Sequence, residues 1–183
     1  DPAYEPILRT ALTDESAAVR MAAVRGLGNM QYDSAGRARV VEALVTRLGA
    51  EPDRGVRLAL LASIGRMGPG RRQLDAIYLR TNSTTEADEA VRKGAWETLL
   101  SLLKSADKAT QLAWVRQLAA SKEPAAAAAL LQLLTFAEAK SRTENWPRAD
   151  RLAVAEQLAD LLLAAGRPAD AGSRFEQDRK SVV

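Results

Sequence analysis

The chain contains no cysteine and no histidine among its 183 residues, and aromatic residues make up only 4% of it. The absence of both residue types excludes Ser-His-Asp and Cys-His nucleophilic sites, haem attachment through cysteine and the usual structural zinc sites. An enzyme built on this chain would rely on carboxylates, lysine, serine or tyrosine, and no constellation of these residues indicates a reaction. We therefore expect a non-catalytic protein without a cofactor or a metal site.

The sequence also lacks a long hydrophobic run and a strong excess of one charge. Its longest apolar run, PAAAAALLQLL, is about half of the ~20 residues that a membrane span needs. Lysine and arginine number 26 against 23 acidic residues, whereas nucleic-acid-binding domains usually carry a concentrated basic stripe. The chain opens at Asp1 rather than Met, so we expect a fragment of a larger chain, with any targeting segment outside it. We also expect it to be soluble and monomeric.

What the chain has in abundance is a recurring helical segment. The stretch AAVRMAAVRGLG returns as RGVRLALLASIG and as EAVRKGAWETLL, and the Val-Arg pairs place Val19, Val56 and Val91 in register, 37 and 35 residues apart. Residues four and eight positions after each valine return to one face of a helix at ~100° per residue, so each segment reads as an amphipathic helix. A second helical pattern precedes each one. Repetition at this period predicts a solenoid of helix hairpins.

An acid stands five residues before each valine, and small residues come after it, followed by Leu-Gly in the first copy and Ile-Gly in the second. This pattern resembles the HEAT repeat family over roughly residues 3–104, although the third copy has Leu100 where glycine would fall. The resemblance implies an all-α fold, a right-handed α-solenoid of antiparallel helix pairs with about seven to eight helices. We place the repeats at about residues 3–30, 34–68 and 71–104.

The recurring acid and arginine have two possible roles. In HEAT repeats such residues commonly form a ladder inside the stack, which ties each turn to a neighbouring second helix. A planar guanidinium suits that role because it can bridge a carboxylate and backbone carbonyls. Arginines that read phosphate would instead have to face outward and unpaired. The resemblance therefore implies structural ladder positions for Asp14, Arg20, Glu51, Arg57, Glu86 and Arg92.

After Lys104 the period fades. We expect residues 105–178 to continue the stack with further helical pairs, and residues 179–183 to form a frayed tail. The last pair, near residues 147–178, resembles a tetratricopeptide repeat in the spacing of five residues, namely Leu158, Leu162, Gly166, Ala171 and Phe175. Ala155 and Ala159 depart from the pattern of that family, which often has tryptophan and glycine there.

Two local motifs offer chemistry but favour structure. The acids Glu86, Asp88 and Glu89 could suggest a cation site, yet capping boxes from Ser83 and Thr85 and the dipole of a helix start explain them. The GPGRR stretch at residues 68–72 could cradle phosphate, but it lacks the preceding strand of a phosphate loop. Neither motif predicts a functional site.

The second helices carry the most informative surface. We count positions along each second helix from its repeat valine, which is position zero. If positions zero, four and eight face the core, positions two, five, six and nine point away from it. That face is unexpectedly apolar, and a helix that is apolar all round is normally buried by something. The face is therefore either covered by the chain itself or open to a partner. The partner-binding candidates are Met21, Arg25, Leu58, Leu61, Lys93, Trp96 and Leu100.

The leading functional hypothesis is a scaffold or adaptor segment whose concave helix face holds another protein or a neighbouring domain of the parent chain. The alternative is a HEAT-like domain that binds nucleic acid, because residues 1–80 hold 12 basic against 9 acidic residues. The weak net charge counts against that alternative. Some HEAT-like proteins act on a bound tetrapyrrole, but no residue here indicates it. The arginines that the alternative would use are Arg20, Arg25, Arg57, Arg66, Arg71 and Arg72.

Overall fold

The computed structural model describes residues 2–121 and 123–164, and over these ranges it consists of helices without any strand. A short 3-10 helix, Pro2–Tyr4, precedes nine α-helices, more than the seven to eight expected. The all-α prediction is confirmed. The helices are α1 (Glu5–Ala11), α2 (Ala17–Asn29), α3 (Ser34–Ala50), α4 (Arg54–Arg66), α5 (Arg71–Leu79), α6 (Glu89–Ser105), α7 (Lys108–Ala119), α8 (Pro124–Thr143) and α9 (Arg148–Ala164).

The chain divides into two compact units. The first, Asp1–Ser105, is called the repeat unit below, and the second, Ala106–Val183, is called the C-terminal unit. The division falls beside Lys104, where the sequence period fades.

In the repeat unit the helices pack as three pairs, α1 with α2, α3 with α4 and α5 with α6. The second helices of the pairs contact one another in sequence order, α2 with α4 and α4 with α6. The first helices do the same less extensively, α1 with α3 and α3 with α5. Each pair therefore stacks on the next, which is the α-solenoid arrangement that the period predicted.

Aspartates begin several of these helices, because a carboxylate can accept the otherwise unpaired N–H groups of a first turn. The Asp88 carboxylate accepts the N–H of Val91 at 3.0 Å, and this backbone hydrogen bond is the main reason that the pKa of Asp88 is lowered. The expected capping boxes do not form: the N–H of Glu86 donates to the Asn82 carbonyl rather than to Ser83, and the Thr85 hydroxyl donates to a carbonyl at the end of α5. The capping residues are Asp33, Asp53, Asp88 and Asp107.

The second helices approach one another closely through small residues. A Cβ placed on Gly28 of α2 would lie 2.7 Å from the Cβ of Ser63 in α4, and one on Gly65 would lie 2.9 Å from Cγ2 of Thr98 in α6. The Ser63 hydroxyl donates to the Val24 carbonyl of α2 at 3.1 Å. The second helices therefore pack against one another more closely than the first helices do.

The C-terminal unit packs α8 against both α7 and α9. Alanines supply much of its core, including Ala126, Ala129 and Ala137 of α8, and they allow neighbouring helices to approach closely. Leu158 and Leu162 of the predicted tetratricopeptide-like pair are buried in α9. Its other three residues, Gly166, Ala171 and Phe175, lie outside the described residues, as does the predicted tail at 179–183, so both expectations stay predictions.

Candidate protein-binding surface

A buried ion pair joins the first two hairpins of the repeat unit. Arg20, in the first turn of α2, donates from Nε and Nη2 to the two carboxylate oxygens of Glu51 at 3.0 and 2.8 Å. Its Nη1 donates to the carbonyls of Asp14 and Glu15, both at 2.9 Å. One guanidinium therefore holds the turn of its own hairpin and the acid of the next.

Glu51 is the most heavily hydrogen-bonded acid of the ladder. Besides Arg20, it accepts from Nε of Arg47 at 2.6 Å and from the N–H of Asp53 at 2.9 Å. Burial alone would raise the pKa of Glu51, but these hydrogen bonds and the nearby positive charges outweigh burial and lower the pKa to about 2. Glu51 is therefore ionised in the folded protein at neutral pH.

The next two arginines repeat the contact with progressively fewer partners. Arg57 donates from Nη1 to the carbonyls of Glu51 and Pro52 at 3.1 and 2.8 Å. Its Nε lies 3.2 Å from Oε2 of Glu86, an ion pair whose geometry does not make a hydrogen bond. Arg92 likewise donates to two carbonyls of the turn before α6, but among the described residues it has no carboxylate partner.

The acid of the first repeat has the same backbone anchor without an arginine. Asp14 accepts the N–H of Ser16 at 2.8 Å, as Glu51 and Glu86 accept the N–H two residues further on at 2.9 and 3.0 Å. Unlike those two acids, Asp14 is exposed and forms no ion pair within the part of the chain that the structure describes.

Two of the partner-binding candidates lie inside the protein. Leu61 is only 1% exposed and Leu100 only 8%, so the expectation that they offer apolar surface to a partner is wrong. For Leu61 the reason is the neighbouring helix α6, since a Cβ on Gly94 would lie 3.7 Å from it and 3.2 Å from the half-buried Leu58. Positions two and five of α4 thus face the next second helix rather than solvent.

The assignment of core positions also fails at the first repeat. Val56 and Val91 are 0% exposed, whereas Val19 at the equivalent position is 41% exposed. Val24, expected to point outward, is completely buried. No described hairpin stands on the side of α2 that carries Val19, and α4 covers the side that carries Val24.

Exposed residues that recur on all three second helices form one band, called the exposed band below. It lies two, six and ten positions after the repeat valines, on adjacent helix faces. Of the candidates, Arg25 and Lys93 belong to the band, whereas Met21 and Trp96 are half-buried at its border. The ring of Trp96 packs edge-on against Tyr78, with centroids 6.2 Å apart. The exposed band comprises Arg25, Asn29, Ala62, Arg66, Lys93, Glu97 and Ser101.

Sequence reasoning placed positions two and six of this band on the outward face, but it missed position ten. Asn29, Arg66 and Ser101 stand ten positions after the repeat valines, and each is polar. That shared polarity was the available signal, because the inner surface of a stack stays in water while the sides of its helices do not. Arg47 was missed as well, since only the second repeat carries an arginine four residues before its acid.

Most arginines of the nucleic-acid alternative have other partners. Arg20 and Arg57 belong to the ladder, and Arg66 donates to the Gly28 carbonyl and to Ser63. The remaining pairs are Arg72 with Glu42 and Arg71 with Asp75. Of the six, Arg25 and Arg66 are exposed without an ion pair in the described ranges, and Arg66 is held by its hydrogen bonds to Gly28 and Ser63.

Two further classes of site are absent from the described residues. No helix there is both long and apolar enough to cross a bilayer. No group of acidic side chains there could hold a metal ion.

The comparison with known families agrees with the geometry of the first two hairpins. The model of HEAT repeats matches residues 1–65, which cover α1 to α4 almost completely. No curated protein and no solved structure matches the chain. HEAT repeats generally mediate protein–protein interactions and are typically non-catalytic scaffolds. Over residues 1–65 the chain is therefore similar to the HEAT repeat family.

Proposed function

We propose that the repeat unit is a non-catalytic scaffold or adaptor that holds another protein, or a neighbouring domain of the parent chain, on its concave helix layer. The observation that supports this proposal is the exposed band, to which α2, α4 and α6 all contribute. The apolar side chains beside the band, such as Leu61, are used inside the stack. What the band offers a partner is a wide surface held at fixed spacing by the buried ladder.

The charges of the band indicate how a partner would lie on it. Arg25 and Lys93 are exposed at opposite ends of the band and form no ion pair among the described residues. Ala62 lies between them and leaves room for a partner's backbone or helix. A protein segment that rests on Ala62 and places carboxylates near Arg25 and Lys93 fits this arrangement.

The experiment uses the absence of cysteine to place a single photo-crosslinker. Ala62→Cys carries it on the exposed band, and Thr46→Cys carries it on an exposed position of α3 as the matched control. In an extract of the source organism we expect specific adducts from the Ala62 position only. Arg25→Glu with Lys93→Glu should abolish them without changing the melting temperature. Equal adducts from both positions, or adducts that survive the charge reversals, would contradict the proposal.

Nucleic-acid binding is tested separately by titrating duplex DNA at two salt concentrations. A protein that neutralises several phosphates loses affinity steeply as salt rises. Because most of the arginines in question are paired within the chain, we expect weak binding at both concentrations. Tight binding with a steep salt dependence would reverse the order of the two functions.

A further inference from the structure

The side of α2 that faces away from α4 corresponds to the side of α4 and of α6 that contacts the preceding hairpin. In α4, Ser63 lies seven positions after Val56 and donates to the Val24 carbonyl of the preceding hairpin. In α6, Gly94 lies three positions after Val91 and meets Leu58 of the preceding hairpin. Positions zero, three and seven therefore form the side of a second helix that faces the preceding hairpin.

On α2 positions zero and three of this side are exposed, whereas position seven, Gly26, is half-buried beside Leu8 of α1. Val19 stands at position zero and is 41% exposed, and Ala22 at position three is exposed as well. Ala59 and Gly94, the equivalents of Ala22 in the next two repeats, are less exposed. The paired helix α1 adds Ile7, and Tyr4 of the preceding 3-10 helix is likewise largely exposed. The first hairpin thus presents apolar surface on both of its helices.

The acid on this side, Asp14, also has no ion-pair partner among the described residues. Inside the stack, each acid receives an arginine from the hairpin before it, Glu51 from Arg20 and Glu86 from Arg57. Asp14 is held by its Ser16 N–H in the same way and stays exposed. A matching surface must therefore supply a cation, and an arginine fits because the internal positions use one.

We propose that Asp14, Val19 and Ala22, the end face of the repeat unit, form a docking surface for the last hairpin of another HEAT-type stack. The second helix of that hairpin supplies an arginine to Asp14 and covers Val19 and Ala22, in the register of the internal repeats. The end face of a second copy fits poorly, because it would bring two Asp14 carboxylates together. The surface is separate from the exposed band, so either proposal can fail alone.

The test extends the full chain with a probe hairpin of its own sequence. A copy of residues 34–70, containing α3, α4 and the loop after them, is placed ahead of Asp1. In this copy the residue equivalent to Arg57 is positioned to reach Asp14. A second version with three extra Gly-Ser residues in the joining loop guards against a strained connection.

The first readout is the accessibility of position 19. Since the chain has no cysteine, Val19→Cys introduces one thiol whose labelling rate can be measured directly. We expect labelling to slow by about ten-fold or more in the extended chain, as for a site that reacts only after local opening. Ala62→Cys on the exposed band is the control and should react equally in both chains. Unchanged labelling of Val19→Cys in both loop versions would overturn the proposal.

The second readout is the melting temperature, which separates the charge from simple apolar packing. The extension should raise it by about 2–4 °C, the shift that roughly 1 kcal/mol produces in a protein of this size. Asp14→Asn keeps an acceptor for the Ser16 N–H and should remove a clear part of the gain, whereas Glu15→Gln should not. A gain that is insensitive to Asp14→Asn would overturn the arginine assignment. A dimer of the unextended chain that Val19→Glu abolishes would show that a second copy is the occupant instead.

Discussion

Inside each of the two units, the helices are held together by a different kind of contact. In the repeat unit, buried ion pairs such as Arg20 with Glu51 connect one hairpin with the next. In the described residues of the C-terminal unit, Arg142 pairs with Glu138 inside one helix, and the ion pair between Lys108 of α7 and Asp150 of α9 is partly exposed. Buried alanines and leucines dominate its core. Charge recognition fixes spacing in the first unit, and close apolar packing does so in the second.

This difference explains where the sequence pattern is visible. A buried arginine must meet its acid at a fixed place, so the pair recurs at a fixed interval and marks each repeat. Alanine and leucine cores accept many arrangements of similar volume, so they leave no comparable motif. The recognisable HEAT pattern accordingly belongs to the ladder, and it fades after Lys104.

The largest expected effect tests whether apolar contacts between second helices matter as much as the ladder. Leu61→Glu places a charge at a fully buried site beside Gly94, and we expect a loss of about 4 kcal/mol or more in the free energy of unfolding. The exposed neighbour is the control, since Ala62→Glu should change stability by only about 0.5 kcal/mol. Urea unfolding followed by circular dichroism measures both. A stable Leu61→Glu variant would mean that this contact between helices is adjustable.

The next prediction compares two positions of the ladder. Arg20→Ala leaves the buried Glu51 carboxylate with Arg47 as its remaining arginine, and we expect a loss of about 3 kcal/mol. Arg57→Ala removes a single ion pair of poorer geometry, together with two carbonyl contacts, and should cost about 1 kcal/mol. Equal losses in urea unfolding would show that hydrogen-bond geometry does not distinguish the two positions.

Acid should weaken the ladder through Glu51. Its pKa falls from an ordinary value of 4.5 to about 2 on folding, so the unfolded chain binds the proton more readily. The resulting stabilisation is fully present above about pH 4.5 and is lost as the pH falls toward 2. Melting temperatures between pH 7 and 2.5 should show this loss, and Glu51→Gln should flatten that part of the profile. An unchanged profile in the variant would assign the acid sensitivity to other carboxyls.

Two glycines separate close helix contact from helix propensity. Gly28→Ala puts a Cβ against Ser63, and we expect a loss of about 2 kcal/mol from the resulting overpacking. Gly49 of α3 has nothing within 4 Å of an added Cβ, so Gly49→Ala should stabilise the protein by about 0.5 kcal/mol. Urea unfolding compares the two. A neutral Gly28→Ala variant would show that α2 and α4 can move apart at little cost.

The same residues show how much of the fold and of the candidate surface could be predicted from the sequence. The period located the hairpins, and it marked the positions at which Arg20 meets Glu51, because both features repeat along the chain. It misplaced Leu61 and Leu100, because a helical wheel gives angles but not the positions of neighbours. A second helix in a stack has three covered sides, toward its own partner and both adjacent hairpins. Only the remaining side, with Ala62 and Glu97, is left for the exposed band.

Val19 shows a second limit. Its sequence surroundings match those of Val56 and Val91, yet its exposure differs because burial depends on whether another hairpin lies beside it. A repeat motif predicts the fold of one hairpin but not whether another hairpin lies beside it. In the C-terminal unit, where no motif recurs, helices could be predicted from capping and periodicity but their packing partners could not.

The smallest effect should come from the charged contact of the C-terminal unit. Lys108 lies 2.7 Å from Asp150 and 5.8 Å from the centre of the Trp146 ring, but both members of the ion pair are partly exposed. Solvent screens such a pair, so Lys108→Ala should cost about 0.5–1 kcal/mol, and added salt should weaken the pair's contribution further. Urea unfolding at low and high salt, with Arg20→Ala measured alongside, provides the test. If Lys108→Ala matched the loss from Arg20→Ala, both units would depend on charge recognition, and the fading of the sequence pattern would need another cause.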